Sequence, residues 1–105
     1  MMTDIYEKTT RIFDVVVYIN GQLQDISSDS VYIVFKQLKS QTDLEAVILK
    51  QASECTVDGV AKFILDVADT TIPPRNYFYE IKWVNNGNTY ILESDTVRIL
   101  ERVFD

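Results

Sequence analysis

Few residues of this chain have the types and spacing that acid–base, nucleophilic or metal chemistry needs. The sequence contains no histidine, the commonest general base and metal ligand. We interpret the single cysteine, Cys55, as an inert thiol near a turn, because no histidine can activate it. Asp66, Asp69 and Asp95 are scattered, whereas a calcium site needs a dense acidic loop. The sequence therefore predicts no enzyme, no cofactor and no metal site.

The amino-acid composition of the chain indicates which classes of binding partner are not expected. The chain has 16 acidic and 10 basic residues, a net charge of -6. Such a charge repels nucleic acid and anionic lipid, so neither is an expected partner. The sequence has no visible signal peptide and no apolar stretch near the roughly 20 residues of a membrane helix. Its length and its 47% apolar content fit one globular domain over 1–105.

The elements that position these residues are predicted to be strands. β-branched and aromatic residues alternate with period two, and Asn20-Gly21, Asp58-Gly59 and Asn86-Gly87 are typical of tight turns. Pro73 and Pro74 end a strand ladder. Seven strands are predicted, over 5–8, 11–19, 30–39, 46–51, 60–67, 77–84 and 89–103, the last broken near 94–95. Residues 42–52 also fit a helix with a threonine cap, which leaves strand and helix both open there.

A series of segments carries a family resemblance: 25–31 (DISSDSV), 59–65 (GVAKFIL), 68–70 (ADT), 72–74 (IPP) and 77–81 (YFYEI). The series resembles the immunoglobulin-like domain of tailed-bacteriophage virion proteins, such as the N-terminal domain of siphophage baseplate upper proteins. The likeness spans about 11–103, although Ser28 and Arg75-Asn76 stand where that family has glycines.

The resemblance implies an immunoglobulin-like antiparallel β-sandwich of about seven strands. It further implies a structural protein of the virion, made in the host cytoplasm and assembled at the baseplate or tail. Its partners would be other virion proteins, or further copies of itself. A capsid decoration or head-fibre protein is the nearest alternative, and a module that binds host-surface glycans is another.

Five residues are predicted to shape the turn and corner before the sixth predicted strand: Asp69, Thr70, Pro73, Pro74 and Tyr77. The Asp69 and Thr70 side chains can bond backbone amides across the turn. Tyr77 fits a tyrosine corner, in which the hydroxyl binds nearby backbone, with plain core packing as the alternative. Trp83 is expected in the core or at its rim, with a sugar-stacking platform as the alternative.

A surplus of apolar residues predicts a protein-binding surface. If Val31, Ile33 and Phe35 face the core, then Tyr32 and Val34, which alternate with them, face outward. In an immunoglobulin-like sandwich the third and sixth strands are neighbours in one sheet, so an outward-facing Phe78 would lie beside them. Val16 adds to an outer face on the second strand. Phe104 either frays with the chain end or docks on a neighbouring subunit. The candidate interface residues are Tyr18, Tyr32, Val34, Phe78 and Phe104.

Overall fold

The structure, a computed structural model, describes residues 4–102. These residues form ten strands and two short helical segments, so the predicted all-β fold class is confirmed. The strands are β1 (Ile5–Tyr6), β2 (Arg11–Val16), β3 (Tyr18–Ile19), β4 (Gln22–Leu23), β5 (Ser30–Lys36), β6 (Ile48–Gln51), β7 (Glu54–Cys55), β8 (Val60–Leu65), β9 (Arg75–Asn85) and β10 (Asn88–Leu100). The helical segments are a 3₁₀ turn (Asp43–Glu45) and helix α1 (Val67–Thr70).

Two sheets form an antiparallel sandwich. One has the strand order β1-β10-β9-β5-β6, the other has the order β2-β8-β7, and β3 and β4 form a separate hairpin. Neighbouring strands are antiparallel, apart from β1, which lies parallel to β10. The chain crosses between the sheets after β6, where the Ser53 amide donates to the Lys62 carbonyl at 2.8 Å.

The core lies between the inner faces of these sheets, and period-two alternation identifies its members. The buried side chains include Val31, Ile33, Phe35, Ala61, Phe63, Leu65, Tyr77, Tyr79, Ile81 and Trp83. Phe13 of β2 stacks on Phe63 of β8 with ring centroids 5.2 Å apart. Burial of each large apolar side chain contributes about 1.5–3 kcal/mol. The predicted inward direction of Val31, Ile33 and Phe35 is confirmed.

The predicted tight turns are also confirmed. Asn20-Gly21 and Asn86-Gly87 each place two successive residues at positive φ, at 51° and 78° in the first turn and 49° and 79° in the second. Two such residues make the hairpin turn whose twist matches the flanking strands. They connect β3 to β4 and β9 to β10. Gly59, with φ at 82°, ends the turn between β7 and β8.

Residues 42–52 contain both of the structures left open by the sequence, one after the other. The Thr42 amide donates to the Glu45 carboxylate at 2.9 Å, which caps the 3₁₀ turn. β6 then follows and pairs with β5. The 3₁₀ turn is short because the residues that follow it form β6 and pair with β5 in the sheet.

Several predicted strand boundaries are wrong: strand 5–8 ends at Tyr6, strand 30–39 ends at Lys36, strand 46–51 begins at Ile48, and strand 11–19 is divided into β2 and β3. Strand 60–67 ends at Leu65, because Asp66 caps α1 and its carboxylate accepts from the Asp69 amide at 3.0 Å. The last strand is not broken near 94–95: β10 is continuous, with a register shift between Ile91 and Glu93. Such a β-bulge, an extra residue in one of two paired strands, bends the strand without ending it. The residue pattern of one strand does not reveal where a bulge lies.

Candidate protein-binding surface

The Asp69–Thr70 turn fastens the N-terminal part of the chain to the sandwich. Thr70 is fully buried, and its hydroxyl accepts from the Thr9 amide at 2.9 Å and donates to the Thr9 carbonyl at 2.6 Å. The Asp69 carboxylate accepts from the Asp66 amide and from Lys50 Nζ, both at 2.9 Å. Burial raises the pKa of Asp69, but these hydrogen bonds outweigh it and leave the pKa below its ordinary value.

Tyr77 has the geometry of a tyrosine corner. Its ring is fully buried, and its hydroxyl donates to the Pro73 carbonyl at 2.6 Å. Pro73 and Pro74 are exposed and lead into β9, which begins at the next residue. Burial raises the pKa of Tyr77, which keeps the hydroxyl neutral and able to donate. The bond fixes the path of the chain from α1 into β9.

Trp83 belongs to the core and offers no sugar-stacking platform. The side chain is 5% exposed, and its ring centroid lies 5.0 Å from that of Tyr90. Its Nε1 donates to an Asp29 carboxylate oxygen at 3.0 Å. The alternative of a sugar platform on this residue is therefore wrong, because both its ring and its polar atom are already in contact with the protein.

The outer face of the five-stranded sheet carries three of the candidate interface residues. Tyr32 and Phe78 are half-buried, but Val34 is fully buried, so its expected exposure is wrong. The 3₁₀ turn explains the difference. Its Asp43 forms ion pairs with the outward-facing side chains Lys36 and Lys82, which draws the turn across this face of the sheet.

These ion pairs are part of a charged cluster, defined by Lys36, Asp43, Glu80 and Lys82. Asp43 accepts from Lys82 Nζ at 2.9 Å and lies 3.0 Å from Lys36 Nζ, which is 3.5 Å from Glu80. The Lys82 hydrogen bond lowers the pKa of Asp43. Burial lowers the pKa of Lys82, but its charged neighbours, Asp43 foremost among them, together raise it by more. This face is therefore closed by charge pairing where the sequence predicted an apolar patch.

Phe78 borders a cleft of about 270 Å³ beside the charged cluster. The other residues that line it are mostly polar: Lys36, Lys39, Glu80, Ser94, Asp95 and Thr96. Lys39 Nζ lies 5.2 Å from the centre of the Phe78 ring, within range of a cation–π contact. A lysine thus covers part of the aromatic ring that the sequence predicted to lie open.

One group of exposed apolar side chains lies on the other sheet and its adjoining hairpin, while further exposed apolar residues lie elsewhere, on β6 and β10 for example. We call this set the apolar strip: Ile12, Val16, Tyr18, Leu23 and Ile64, which are between 36% and 62% exposed. Ile12 lies opposite Ile64 across β2 and β8, and Tyr18 lies opposite Leu23 across the hairpin. Val17, between Val16 and Tyr18, is buried, so its two neighbours point away from the core.

Sequence reasoning found only part of the apolar strip. Val16 and Tyr18 were identified as outward-facing residues of the second predicted strand. Ile12 has the same parity as Val16, so the alternation within β2 could have identified it. Ile64 has the same parity as Lys62, so the alternation within β8 could have identified it as well, whereas Leu23 required knowledge of strand pairing. Asp14 and Lys62, which also lie opposite each other, interrupt the strip with charge.

The remaining predicted residues lie elsewhere. Phe104 is outside the described residues, and the interface role of all five candidates stays a prediction. Cys55 is half-buried on β7, and burial raises the pKa of its thiol. Among residues 4–102, no three carboxylate, thiol or imidazole side chains are grouped closely enough to hold a metal ion. The same residues contain no helix with the length and apolar character needed to cross a membrane.

Comparisons with known proteins add a likeness of fold. No family model and no curated protein matches the chain. Among solved structures, the chain is similar to the N-terminal domain of phage TP901-1 ORF48, with a TM-score of 0.50 and 9% sequence identity. The match covers 96% of this chain and 84% of that one. The chain therefore shares its overall fold with a domain of a phage protein.

Proposed function

We propose that this protein is a non-enzymatic structural component of a tailed-bacteriophage particle, which works by binding other particle proteins. The fold shared with a domain of phage TP901-1 ORF48 supports the phage setting, as does the sequence resemblance to tailed-phage virion domains. The proposed location is the baseplate or tail, with capsid decoration or a head fibre as the alternative.

The immunoglobulin-like assignment is part of the same proposal, and strand order supports it. In a variable-type immunoglobulin sandwich, strands G, F, C and C′ are neighbours in one sheet and B, E and D in the other. β10, β9, β5 and β6 stand in the first order, and β2, β8 and β7 in the second. The hydrogen bond from Tyr77 to Pro73 adds the tyrosine corner known from such sandwiches.

The apolar strip is the observation on which the binding role depends. The core between the sheets already buries large aromatic side chains, so the strip is not needed to complete it. Apolar side chains grouped on one sheet and its adjoining hairpin are typical of a surface that a partner covers. Asp14 and Lys62, which lie opposite each other within the strip, would make such an interface more selective, because a partner must accommodate both charges on burial.

A paired substitution tests this role without changing the net charge. Ile12→Lys with Ile64→Glu replaces two apolar side chains that lie opposite each other by a cross-strand ion pair. The double variant should keep its far-ultraviolet circular dichroism spectrum and a melting temperature within about 5 °C of the natural protein. We expect it to be at least about tenfold depleted from purified phage particles, measured by quantitative mass spectrometry.

Leu44→Glu is the matched control, because Leu44 is 95% exposed and lies on the 3₁₀ turn, away from the apolar strip. It should enter particles at the natural level. Normal incorporation of a folded Ile12→Lys, Ile64→Glu variant would contradict the binding surface. Absence of the natural protein from purified particles would contradict the structural role itself.

A further inference from the structure

β2 differs from the other strands at the margins of the two sheets. β1 and β7 are two residues long, and β6 has four residues with Lys50 among them. Short edges and edge lysines are the usual protection against unwanted strand pairing. β2 has six residues with neither lysine nor proline, and no strand within the described part of the chain pairs with its second side. It is therefore longer than the other marginal strands β1, β6 and β7. The outer side of β10 is unpaired over a longer stretch, because β1 covers only Ile99 and Leu100, but a register shift between Ile91 and Glu93 and the charged side chains after it protect that edge.

The backbone of β2 presents hydrogen-bonding groups at this edge. The Val17 amide donates to the Gly59 carbonyl at 2.7 Å, in continuation of the β2–β8 register. Because bonded pairs alternate along an antiparallel ladder, the backbone groups of Val15 and Phe13 also face β8. Those of Ile12, Asp14 and Val16 therefore face away from the sheet. These amide and carbonyl groups have the spacing that an added strand needs to form ladder hydrogen bonds with β2.

The side chains beside this edge define what such a strand must contain. Ile12 and Val16 are exposed on the outer face with Asp14 between them, while Phe13 and Val15 face inward and are only half-buried. An added strand would cover these apolar groups with side chains on both of its faces. Opposite Asp14, a basic residue would be favoured and an acidic one repelled.

We propose that the open edge of β2 binds a partner protein by strand addition, and that the partner supplies an extended apolar segment with a lysine or arginine opposite Asp14. This inference rests on the proposed function and specifies how the partner binds. A second copy of this chain is a poorer occupant, because each copy carries a net charge of -6. If β2 strands of two copies paired antiparallel in a register centred on Asp14, the two Asp14 carboxylates would also lie opposite each other and repel.

Three synthetic peptides of sequence Ser-Thr-Val-Xaa-Val-Thr-Ser, blocked at both ends, test the proposal on the full chain. Xaa is lysine, glutamine or glutamate, and the palindromic sequence allows either strand direction. In an NMR titration, the lysine peptide should bind about fivefold more tightly than the glutamate peptide, with glutamine between them. Its binding should slow hydrogen exchange of the Asp14 and Val16 amides, because these amides become ladder donors.

Two variants with the same change in net charge locate the effect. Asp14→Lys should reverse the order, so that the glutamate peptide binds about fivefold more tightly than the lysine peptide. Glu54→Lys is the matched control: Glu54 is exposed on β7, at the opposite margin of the same sheet. It should leave the order of the three peptides unchanged.

Each other outcome overturns the proposal. These outcomes are no binding of the lysine peptide at millimolar concentration, binding without slowed exchange at Asp14 and Val16, and an unchanged order in Asp14→Lys. Slowed exchange that grows with the concentration of the protein alone would assign the edge to a second copy. If the peptides fail while Ile12→Lys with Ile64→Glu is still lost from particles, strand addition is wrong and the proposed function stands.

Discussion

At the scale of single residues, Gly59 occupies the most restricted position among the three glycines. Its φ of 82° is a conformation that side chains disfavour, and a Cβ there would lie 2.8 Å from the carbonyl oxygens of Val17 and Gln24. These carbonyls belong to the segments that enter and leave the β3–β4 hairpin. The absence of a side chain therefore lets the hairpin and the start of β8 approach each other.

Gly59→Ala should accordingly destabilise the protein more than Gly87→Ala. Gly87 has a similar φ of 79°, but nothing lies within 4 Å of the Cβ it would gain, so its substitution costs about 1 kcal/mol of backbone strain. Gly59→Ala adds a steric cost of about 1–3 kcal/mol. Urea denaturation of both variants measures the difference in free energy of unfolding, and equal losses would contradict the close approach.

At the scale of elements, the 3₁₀ turn is held on the sheet by charge. Asp43 contacts Lys36 and Lys82, whose side chains are 8% and 14% exposed. Removal of the Asp43 charge would leave two largely buried ammonium groups with only the more distant Glu80, at 3.5 Å and 4.0 Å. A lost hydrogen bond to a charged group costs about 1.5–3 kcal/mol.

Asp43→Asn should therefore lower the free energy of unfolding by about 2 kcal/mol at pH 7. The pKa of Asp43 in the folded protein lies below its ordinary value of 3.8. Its stabilising contribution is therefore present above pH 3.8 and is lost as the pH falls through the folded pKa. The difference between the natural protein and Asp43→Asn should shrink over that range, as measured by denaturant unfolding from pH 7 to pH 2.5.

Glu54→Gln is the control for the loss of an acidic side chain, because Glu54 is exposed on β7. It should change the free energy of unfolding by less than about 0.5 kcal/mol. A difference between Asp43→Asn and the natural protein that stays constant down to pH 2.5 would argue that the carboxylate charge does not hold the turn.

At the scale of the whole molecule, stability depends on the contact between two sheets. Phe63 lies in this interior and stacks on Phe13, whereas its chain neighbour Ile64 belongs to the apolar strip. Adjacent residues of one strand thus have opposite roles, one for folding and one for the surface. The alternation separates these roles even though both side chains are large and apolar.

Phe63→Ala should lower the free energy of unfolding by about 3–5 kcal/mol, because it opens a cavity between the sheets. Ile64→Ala should lower it by less than about 1 kcal/mol, since its side chain is already partly in water. Thermal and urea unfolding measure both changes. Losses of equal size would contradict the two-sheet arrangement.

The local signals in the sequence predicted the fold class, the inward-facing residues and the tight turns. Alternation along β5, β8 and β9 predicts their buried faces, because successive side chains of any strand point to opposite sides. Asn20-Gly21 and Asn86-Gly87 predict hairpins, because few other residue pairs accept two positive φ angles. β4 and β7, with two residues each, are too short to have a pattern of their own.

Residues two positions apart are therefore enough to specify which face of each strand is apolar. Which of these apolar faces stay open depends instead on contacts between distant segments. Asp43 reaches Lys82 across 39 positions of the chain, and this pairing closes the outer face around Val34. β2 lacks a second neighbour among the described residues, and this leaves its edge and the apolar strip exposed. Both outcomes depend on residues far apart in the chain, which no local pattern can register.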